Sequence, residues 1–345
     1  MSQTTTQRLP VLDMMRGVAS FAVCWYHVTH GNVTFLPPGW FKSTGDLGWL
    51  GVQVFFVISG FVIPFALSNS GYRINNCGTF LLKRVARLDP PYIAGILVVI
   101  VLGYFSTLAP GFNGEPFHFS WTVTLLHLGY LNAFFGYPWL NPVYWTLAIE
   151  FQYYILIALT FPLLASRDAR VRSILIMLFA GTALMVPAPQ FVCHWLFLFL
   201  YGITTFQYRA SLLSRNAYLL HLIAVAAGAV YCYGATIGLT GLLSALVIAF
   251  VNARSFGPLT WLGHISYSLY LLHVPVGGRV INLSSRFAVT LPAQILAVLT
   301  AAAASIAAAW LLHKFVEYPA QRWSAAIGYR FKRDVAPSGF APREG

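Results

Sequence analysis

Long apolar stretches recur along almost the whole chain, and this feature limits the folds that are open to it. A helix that crosses the hydrocarbon of a bilayer needs about 20 predominantly apolar residues. Of the 345 residues, 58% are hydrophobic and 9% are charged, whereas a soluble domain carries about 25% charged residues. A soluble domain is therefore excluded, and the aromatic content of 16% also excludes a disordered chain. Lipid is the expected solvent for most of the surface.

Ten apolar blocks are predicted to be membrane-spanning helices. They lie near residues 11–30, 47–68, 90–109, 143–165, 172–187, 191–208, 217–234, 236–252, 258–281 and 292–317. A further apolar block, 119–137, is broken by Gly129, Asn132 and Gly136 and ends at Pro138, so we interpret it as interfacial or re-entrant. The predicted fold class is an all-α, polytopic bundle of about ten transmembrane helices.

No long polar linker divides these blocks. Residues 1–323 are therefore predicted to form a single integral-membrane domain, and residues 324–345 a short basic cytoplasmic tail. A tail of this length is too short to form a further domain.

The basic residues fall almost entirely on one side of the predicted spans. Of the 21 Lys and Arg residues, only Lys42, Arg279 and Arg286 are placed on the side opposite to the N-terminus. Basic loops mark the cytoplasmic side of a membrane, so the net charge of +12 indicates topology and not a nucleic-acid partner. We predict a multi-pass protein of the inner (plasma) membrane with both termini in the cytoplasm.

Ionisable residues inside the spans indicate where chemistry takes place, because charges in hydrocarbon need a partner, a water-filled cavity or a function. On the first span, Arg16 and His27 lie eleven residues apart, which places them on the same helix face about 16 Å apart along the axis. Asp13 lies three residues before Arg16 and is expected to neutralise it. Glu150 and His273 are predicted to lie, like His27, in the outer half of the membrane.

Five ordered motifs make the chain resemble the acyltransferase 3 family of integral-membrane O-acyltransferases. The first is L-D-x-x-R-G-x-A followed by a histidine, from Leu12 to His27. The second is GVQVFFVISGF, from Gly51 to Phe61. The others are Arg84 and Arg87 before Pro90, Pro91 and Tyr92, then Trp145 to Tyr153, and finally Ile265 to His273.

Three positions depart from the family's pattern. Thr146 stands where serine is common and Gln53 where an acidic residue is frequent, and both keep the ability to form hydrogen bonds. Asp89 stands where an aromatic residue is usual, and its carboxylate is expected to neutralise Arg87 in part.

The resemblance implies transfer of an acyl group, most often acetyl from acetyl-CoA, to a hydroxyl of a carbohydrate or glycoside. No bound cofactor is expected, and acyl-CoA is the donor substrate. Its phosphates require arginines, which bind phosphate oxygens in a bidentate manner. Arg84 and Arg87 are assigned to this role, with Lys83 beside them, and Arg16 is predicted to contact the donor. The four cysteines lack the spacing of a metal site, so none is predicted.

An alcohol acceptor needs a base to take its proton, and histidine has a suitable pKa. We assign His27 as this base or as a transient acyl carrier, and Glu150 either as its partner or as a ligand of the acceptor. Ser59 and Gly60 are assigned to close helix packing, since the sequence S-G-F is not a nucleophile elbow. The supporting residues are Asp13, Ser59, Trp145, Tyr153 and His273.

Two other functions share these features. Intramembrane His, Glu and Arg residues also form proton relays, so a transporter or exporter of a glycolipid or small molecule fits the same layout. The other alternative is a cytoplasm-facing O-acyltransferase that modifies a small hydrophobic compound.

Overall fold

A computed structural model describes residues 9–110, 112 and 115–329 of the chain. These residues form helices and loops, and no strand occurs among them. The α-helices are α1 (Pro10–His30), α2 (Trp40–Ser43), α3 (Gly51–Asn69), α4 (Cys77–Thr107), α5 (Trp121–Leu128), α6 (Trp145–Leu164), α7 (Ala169–Met185), α8 (Leu196–Arg209), α9 (Arg215–Tyr233), α10 (Ala235–Phe250), α11 (Gly257–His264), α12 (Ser266–Leu272), α13 (Gly278–Ser284), α14 (Leu291–Leu312) and α15 (Tyr318–Ala326). Arg8 and the basic residues of 330–345 lie outside the described residues.

The predicted all-α membrane bundle is confirmed, although fewer spans than ten stand out. Five helical stretches are long and apolar enough to cross a bilayer: Trp40–Asn69, Ile74–Thr107, Trp145–Leu164, Arg215–Tyr233 and Leu291–Ala326. The other predicted spans coincide with helices that are shorter or less apolar. Large apolar side chains also lie on the bundle surface, as lipid contact requires.

Helix α4 begins earlier than the sequence indicates. The predicted span starts at residue 90, because Pro90 and Pro91 suit the first turn of a helix. The structure instead runs one helix from Cys77 through both prolines to Thr107. Proline removes a backbone donor and frees the carbonyl four residues earlier, which here are the carbonyls of Ala86 and Arg87. The hydroxyl of Tyr267 donates to the neighbouring Leu88 O at 3.0 Å.

The predicted span 258–281 is broken into several pieces. Helix α12 is followed by a five-residue π-helical segment, His273–Gly277, before α13 begins. A second π-helical segment, His313–Glu317, joins α14 to α15. Such segments are rare and occur frequently at functional sites, and each of these two starts at an intramembrane histidine.

The doubtful block 119–137 folds into the eight-residue helix α5 and a short 3₁₀ turn, Asn132–Phe135. Eight residues extend about 12 Å, which is well short of the hydrocarbon thickness of about 30 Å. The amide of Asn132 donates to Val123 O at 3.2 Å and folds the segment back on itself. This geometry agrees with the interfacial or re-entrant interpretation.

Glycines allow the central helices to approach one another at backbone distance. A Cβ atom on Gly17 of α1 would lie 2.3 Å from Leu259 O, and one on Gly263 of α11 would lie 2.0 Å from Asp13 O. Likewise, a Cβ atom on Gly60 of α3 would lie 2.3 Å from Phe199 O, and one on Gly202 of α8 would lie 2.2 Å from Val57 O. Small residues at helix contacts are the usual means of close packing in membranes.

Replacing Gly202 with Val is expected to destabilise the bundle strongly. The added atoms would meet the backbone of α3, which cannot move aside, and overpacking of this kind costs about 1 to 3 kcal/mol or more. Thermal denaturation in detergent, followed by fluorescence-detected size exclusion, measures the effect. The control is Gly181→Ala in α7, where a Cβ meets nothing within 4 Å. Equal melting temperatures for the two variants would contradict the packing role.

Candidate active site

A cavity of about 110 Å³ lies inside the bundle, toward the end at which α1 begins. Its charged lining residues come from three helices: Arg16 from α1, Arg84 and Arg87 from α4, and Glu150 from α6. The three predicted donor ligands are therefore brought together, and Glu150, which the sequence placed in the outer half of the membrane with His27, lines the same cavity as the arginines. We call this space the arginine cavity.

Glu150 is held in the arginine cavity by a neighbouring hydroxyl. The Oγ of Ser59 donates to Glu150 Oε1 at 2.8 Å, so Ser59 orients the carboxylate while Gly60 provides the close packing. One helical turn before Glu150, the hydroxyl of Thr146 pairs with the hydroxyl of Tyr270 at 2.6 Å. Thr146 therefore keeps the hydrogen-bonding capacity expected of it.

The three arginines of the arginine cavity form no ion pair within 4 Å of a carboxylate among the described residues. The ion pairs of the described residues are His30 with Asp46, His264 with Asp13 and His313 with Glu317, and none includes an arginine. Arg84 lies over the rings of Phe80 and Tyr154, at 5.1 and 5.4 Å. With three arginines and one glutamate, the lining of the cavity carries an excess of positive charge.

Two ion pairs predicted from the sequence are not formed, because both aspartates have other partners. Asp13 lies 3.9 Å from Nε2 of His264 rather than pairing with Arg16, because the glycine contact brings α11 against that part of α1. Asp89 does not pair with Arg87: its Oδ1 accepts a hydrogen bond from the hydroxyl of Tyr130 at 2.9 Å. The segment 119–137 supplies Tyr130, and the position of this segment beside α4 could not be predicted from the sequence.

A second cavity, of about 200 Å³, lies beside the first, and Arg84 and Arg87 line both. Helix α15 and the residues after it supply much of its wall, through Gln321, Ser324 and Tyr329. We call it the basic-end cavity. Arg84 and Arg87 thus stand at the boundary between an inner space that holds Glu150 and a space near the basic end of the bundle.

Lys83, which lies beside the arginines in the sequence, holds α15 in place. Its Nζ donates to Ser324 O at 2.9 Å and to Ile327 O at 2.5 Å. These are carbonyls at the C-terminus of α15, where a cation is favourable. Lys83 therefore fastens α15 against α4 and so completes the basic-end cavity.

The predicted base lies in a histidine pair. Nδ1 of His27 is 2.9 Å from Val23 O and 3.3 Å from Nε2 of His273, whose own Nδ1 is 2.9 Å from Leu269 O. A carbonyl can only accept, so both rings are assigned a proton on Nδ1. His273 then presents the unprotonated Nε2 to the Nδ1–H of His27. This tautomer leaves Nε2 of His27 able to accept a proton.

His27 and Glu150 are not hydrogen-bonded to each other. Within the described part of the chain, Glu150 accepts from Ser59 and His27 contacts His273. Tyr270 lies between the two groups, since it lines the arginine cavity and its ring is 5.8 Å from that of His273. The expected partnership of carboxylate and histidine is therefore replaced by a pair of histidines.

The match to known sequences covers most of the chain. The profile of the acyltransferase domain of the acyltransferase 3 family matches residues 9–314. The chain belongs to this family. The match includes all the charged residues of the arginine cavity and both members of the histidine pair. No solved structure matches the chain.

The matched relatives are longer than this chain. A peptidoglycan O-acetyltransferase, OatA of Listeria monocytogenes, is 25% identical over 368 residues, which covers 91% of this chain and 56% of the relative. The O-acetyltransferase OatA of Staphylococcus aureus is 30% identical over 170 residues, 46% of this chain and 26% of the relative. The chain thus spans about half, or less, of the length of these relatives.

Two residues of the family's fourth motif position α6 and do not line the arginine cavity. The ring of Trp145 lies 5.3 Å from that of Trp195. Tyr153 is fully buried and stacks on Phe199 at 4.1 Å. Both fasten α6 to the α3 and α8 pair, so their contribution to Glu150 is indirect.

A further buried carboxylate, that of Glu317, lies near the arginines and was not among the predicted site residues. Glu317 is 4% exposed. It accepts from Oγ of Ser268 at 2.6 Å and from the amide of Gln321 at 2.9 Å, and Nδ1 of His313 is 3.1 Å from it. Its position at the end of the last predicted span, 292–317, was the feature of the sequence that could have indicated a buried carboxylate.

Proposed function

We propose that the chain transfers an acyl group, acetyl in particular, from cytoplasmic acyl-CoA to a hydroxyl of a carbohydrate at the outer membrane face. One observation carries the proposal: Arg16, Arg84 and Arg87 share a cavity and form no close ion pair with a carboxylate among the described residues. Charges inside a membrane bundle are costly unless they are paired. A ligand with several negative charges would supply the missing partners, as CoA does with its phosphates.

The donor would enter through the basic-end cavity. Arg84 and Arg87 reach both cavities, so they suit phosphates on one side while the extended arm of CoA passes to the other. Guanidinium groups bind phosphate oxygens by paired, charge-assisted hydrogen bonds. Lys83 contributes indirectly, through its hold on α15.

The acyl transfer itself is assigned to the other half of α1. His27 Nε2 would take the proton of the acceptor hydroxyl as its oxygen attacks the thioester carbon. The C–O bond of the ester forms, the C–S bond breaks, and the sulfur of CoA leaves as a thiolate that takes up the proton. Transient transfer of the acyl group onto His27 itself is the stepwise form of the same reaction.

The single helix α1 connects the two halves of this reaction. Arg16 and His27 lie on it without an interruption, about 16 Å apart along the axis. The donor is held at one end and the base stands toward the other, so the acyl group would cross much of the membrane inside the protein. The relatives named as O-acetyltransferases, one of them of peptidoglycan, support a carbohydrate acceptor beyond the membrane.

Sealed vesicles of the two orientations test the crossing. Labelled acetyl-CoA is added outside inside-out vesicles that enclose a peptidoglycan-type oligosaccharide, and labelled product is expected in the lumen. Right-side-out vesicles with both compounds outside are expected to give none. Product formed only when donor and acceptor share a side would contradict transfer across the membrane. A transporter predicts no turnover of acetyl-CoA in either orientation.

A further inference from the structure

A third cavity opens at the end of the bundle opposite to the basic-end cavity. It has a volume of about 700 Å³ and lies between the last turns of α4, the segment 115–118 and α13. The residues with polar or charged side chains that line it are Ser106, Glu115, His118, Arg279, Asn282 and Arg286. We call it the outer cavity. Neither the arginine cavity nor the histidine pair includes any of these residues.

The two arginines of the outer cavity are not explained by topology. Only three basic residues are predicted on this side of the membrane, namely Lys42, Arg279 and Arg286, because basic residues concentrate on the cytoplasmic side. Two of these three line the same cavity. Such convergence on the side that is poor in basic residues indicates a ligand of negative charge.

The local contacts of these arginines agree with an anionic ligand. The Nε of Arg279 is buried and has no hydrogen-bond partner among the described residues. Nη1 of Arg286 donates to Pro110 O at 2.6 Å, which fixes its side chain beside α4. Glu115 is exposed at the cavity edge, so the two arginines still leave the lining positively charged. Phosphate matches the planar guanidinium fork.

The rest of the wall is apolar and continues onto the lipid-facing surface. Phe105 of α4 is 65% exposed and Leu283 of α13 is 58% exposed, and both line the outer cavity together with Leu102. A free sugar phosphate would gain nothing from this wall. An amphiphile would place its charged group on the arginines and its hydrocarbon chain against the apolar residues.

The outer cavity is connected to the histidine pair. Arg279 follows His273 by six residues along the continuous π-helical segment and α13, which is about 9 Å of helical rise. The amide of Asn32, just beyond the end of α1, donates to Oδ1 of Asn282 at 3.3 Å. A group held at Arg279 therefore lies close to the end of α1 that carries His27.

We propose that the outer cavity binds the phosphate of a lipid-linked carbohydrate, and that the carbohydrate reaches His27 as the headgroup of this lipid. The phosphate contacts Arg279 and Arg286, and the lipid chain lies along α4 and α13. This proposal rests on the proposed function, because it makes the lipid-linked sugar the acceptor.

Binding to the purified full-length protein in detergent tests the cavity without any acyl transfer. The probes are farnesyl phosphate, farnesol and inorganic phosphate, measured by native mass spectrometry. Farnesyl phosphate is expected to bind at least tenfold more tightly than either of the others. Arg279→Gln, alone and combined with Arg286→Gln, is expected to weaken it at least tenfold, while the exposed Arg170→Gln leaves it unchanged. The single variant keeps the hydrogen bond from Arg286 to Pro110 O and is expected to fold.

Two results would overturn the proposal. Equal affinity of farnesyl phosphate for the wild type and for Arg279→Gln would show that Arg279 does not bind the phosphate. Equal affinity of the wild type for inorganic phosphate and for farnesyl phosphate would show that the lipid chain does not contribute to binding. An activity arm then compares acetyl transfer to farnesyl-phosphate-linked N-acetylglucosamine and to free N-acetylglucosamine. The lipid-linked form is expected to react faster, and Arg279→Gln is expected to remove this advantage. Absence of acetyl transfer to either acceptor would refute the proposed function. The binding results, which need no acyl transfer, test separately whether the outer cavity binds a lipid phosphate.

Discussion

Replacing His27 with Ala is expected to lower kcat for acetyl transfer by about 10²- to 10⁴-fold, the range of a general base. The geometry leaves Nε2 of His27 as the proton acceptor, because Val23 O and Nε2 of His273 both face Nδ1. Loss of this nitrogen removes the group that would take the hydroxyl proton. Turnover of labelled acetyl-CoA by purified protein with a carbohydrate acceptor measures the change.

The matched control is His221→Ala in α9. His221 is also an intramembrane histidine whose Nδ1 faces a carbonyl one turn earlier, Ala217 O at 2.7 Å, yet it lines none of the three cavities. Its variant is expected to keep wild-type kcat. Elution as a single peak in size exclusion shows that His27→Ala is folded. A folded His27→Ala protein with near wild-type kcat would refute the assignment.

Replacing Arg84 and Arg87 together with Gln is expected to raise KM for acetyl-CoA by about 100-fold or more. A hydrogen bond to a charged group contributes about 1.5 to 3 kcal/mol, and 1.4 kcal/mol corresponds to a tenfold change. Each arginine is therefore expected to account for at least a factor of ten. Initial rates at varied donor and fixed acceptor measure KM, and calorimetry with CoA alone measures binding directly.

The acceptor provides the internal comparison for these arginines. KM for the carbohydrate is expected to change much less than KM for acetyl-CoA, since Arg84 and Arg87 line the basic-end cavity, where the donor is proposed to enter. Arg167→Gln, an exposed arginine outside both cavities, is expected to leave both values unchanged. Equal effects on donor and acceptor in the double variant would contradict the phosphate-binding role.

The sequence predicted the parts of the fold that depend on apolar length. Helices α1, α3 and α6 begin and end within a few residues of their predicted spans, because hydrophobic length decides them. Their charged residues stood out against an apolar background for the same reason. The common assignment of Arg16, Arg84 and Arg87 to one ligand agrees with the cavity that they share, whereas Glu150, which was expected beside His27, lines that cavity with the arginines instead.

Features that depend on contacts between distant segments were not predictable. Asp13 is next to His264 because glycines bring α1 and α11 together. Asp89 contacts Tyr130 because the segment 119–137 packs against α4. The walls that α15 contributes to the basic-end cavity depend on Lys83, whose ammonium reaches carbonyls more than 240 residues away. Spacing along one helix carries no information about such pairings.

The two π-helical segments make the active half of the bundle sensitive to the number of residues in it. Each turn of a π-helix holds more residues than a turn of an α-helix, so the segment His273–Gly277 takes up about one residue more than α-helix of the same rotation. If these five residues formed ordinary α-helix, everything that follows would turn by about a further 100° about the helix axis. Arg279 and Asn282 would leave the outer cavity while His273 kept its place beside His27, so the segment sets the alignment between the histidine pair and the outer cavity.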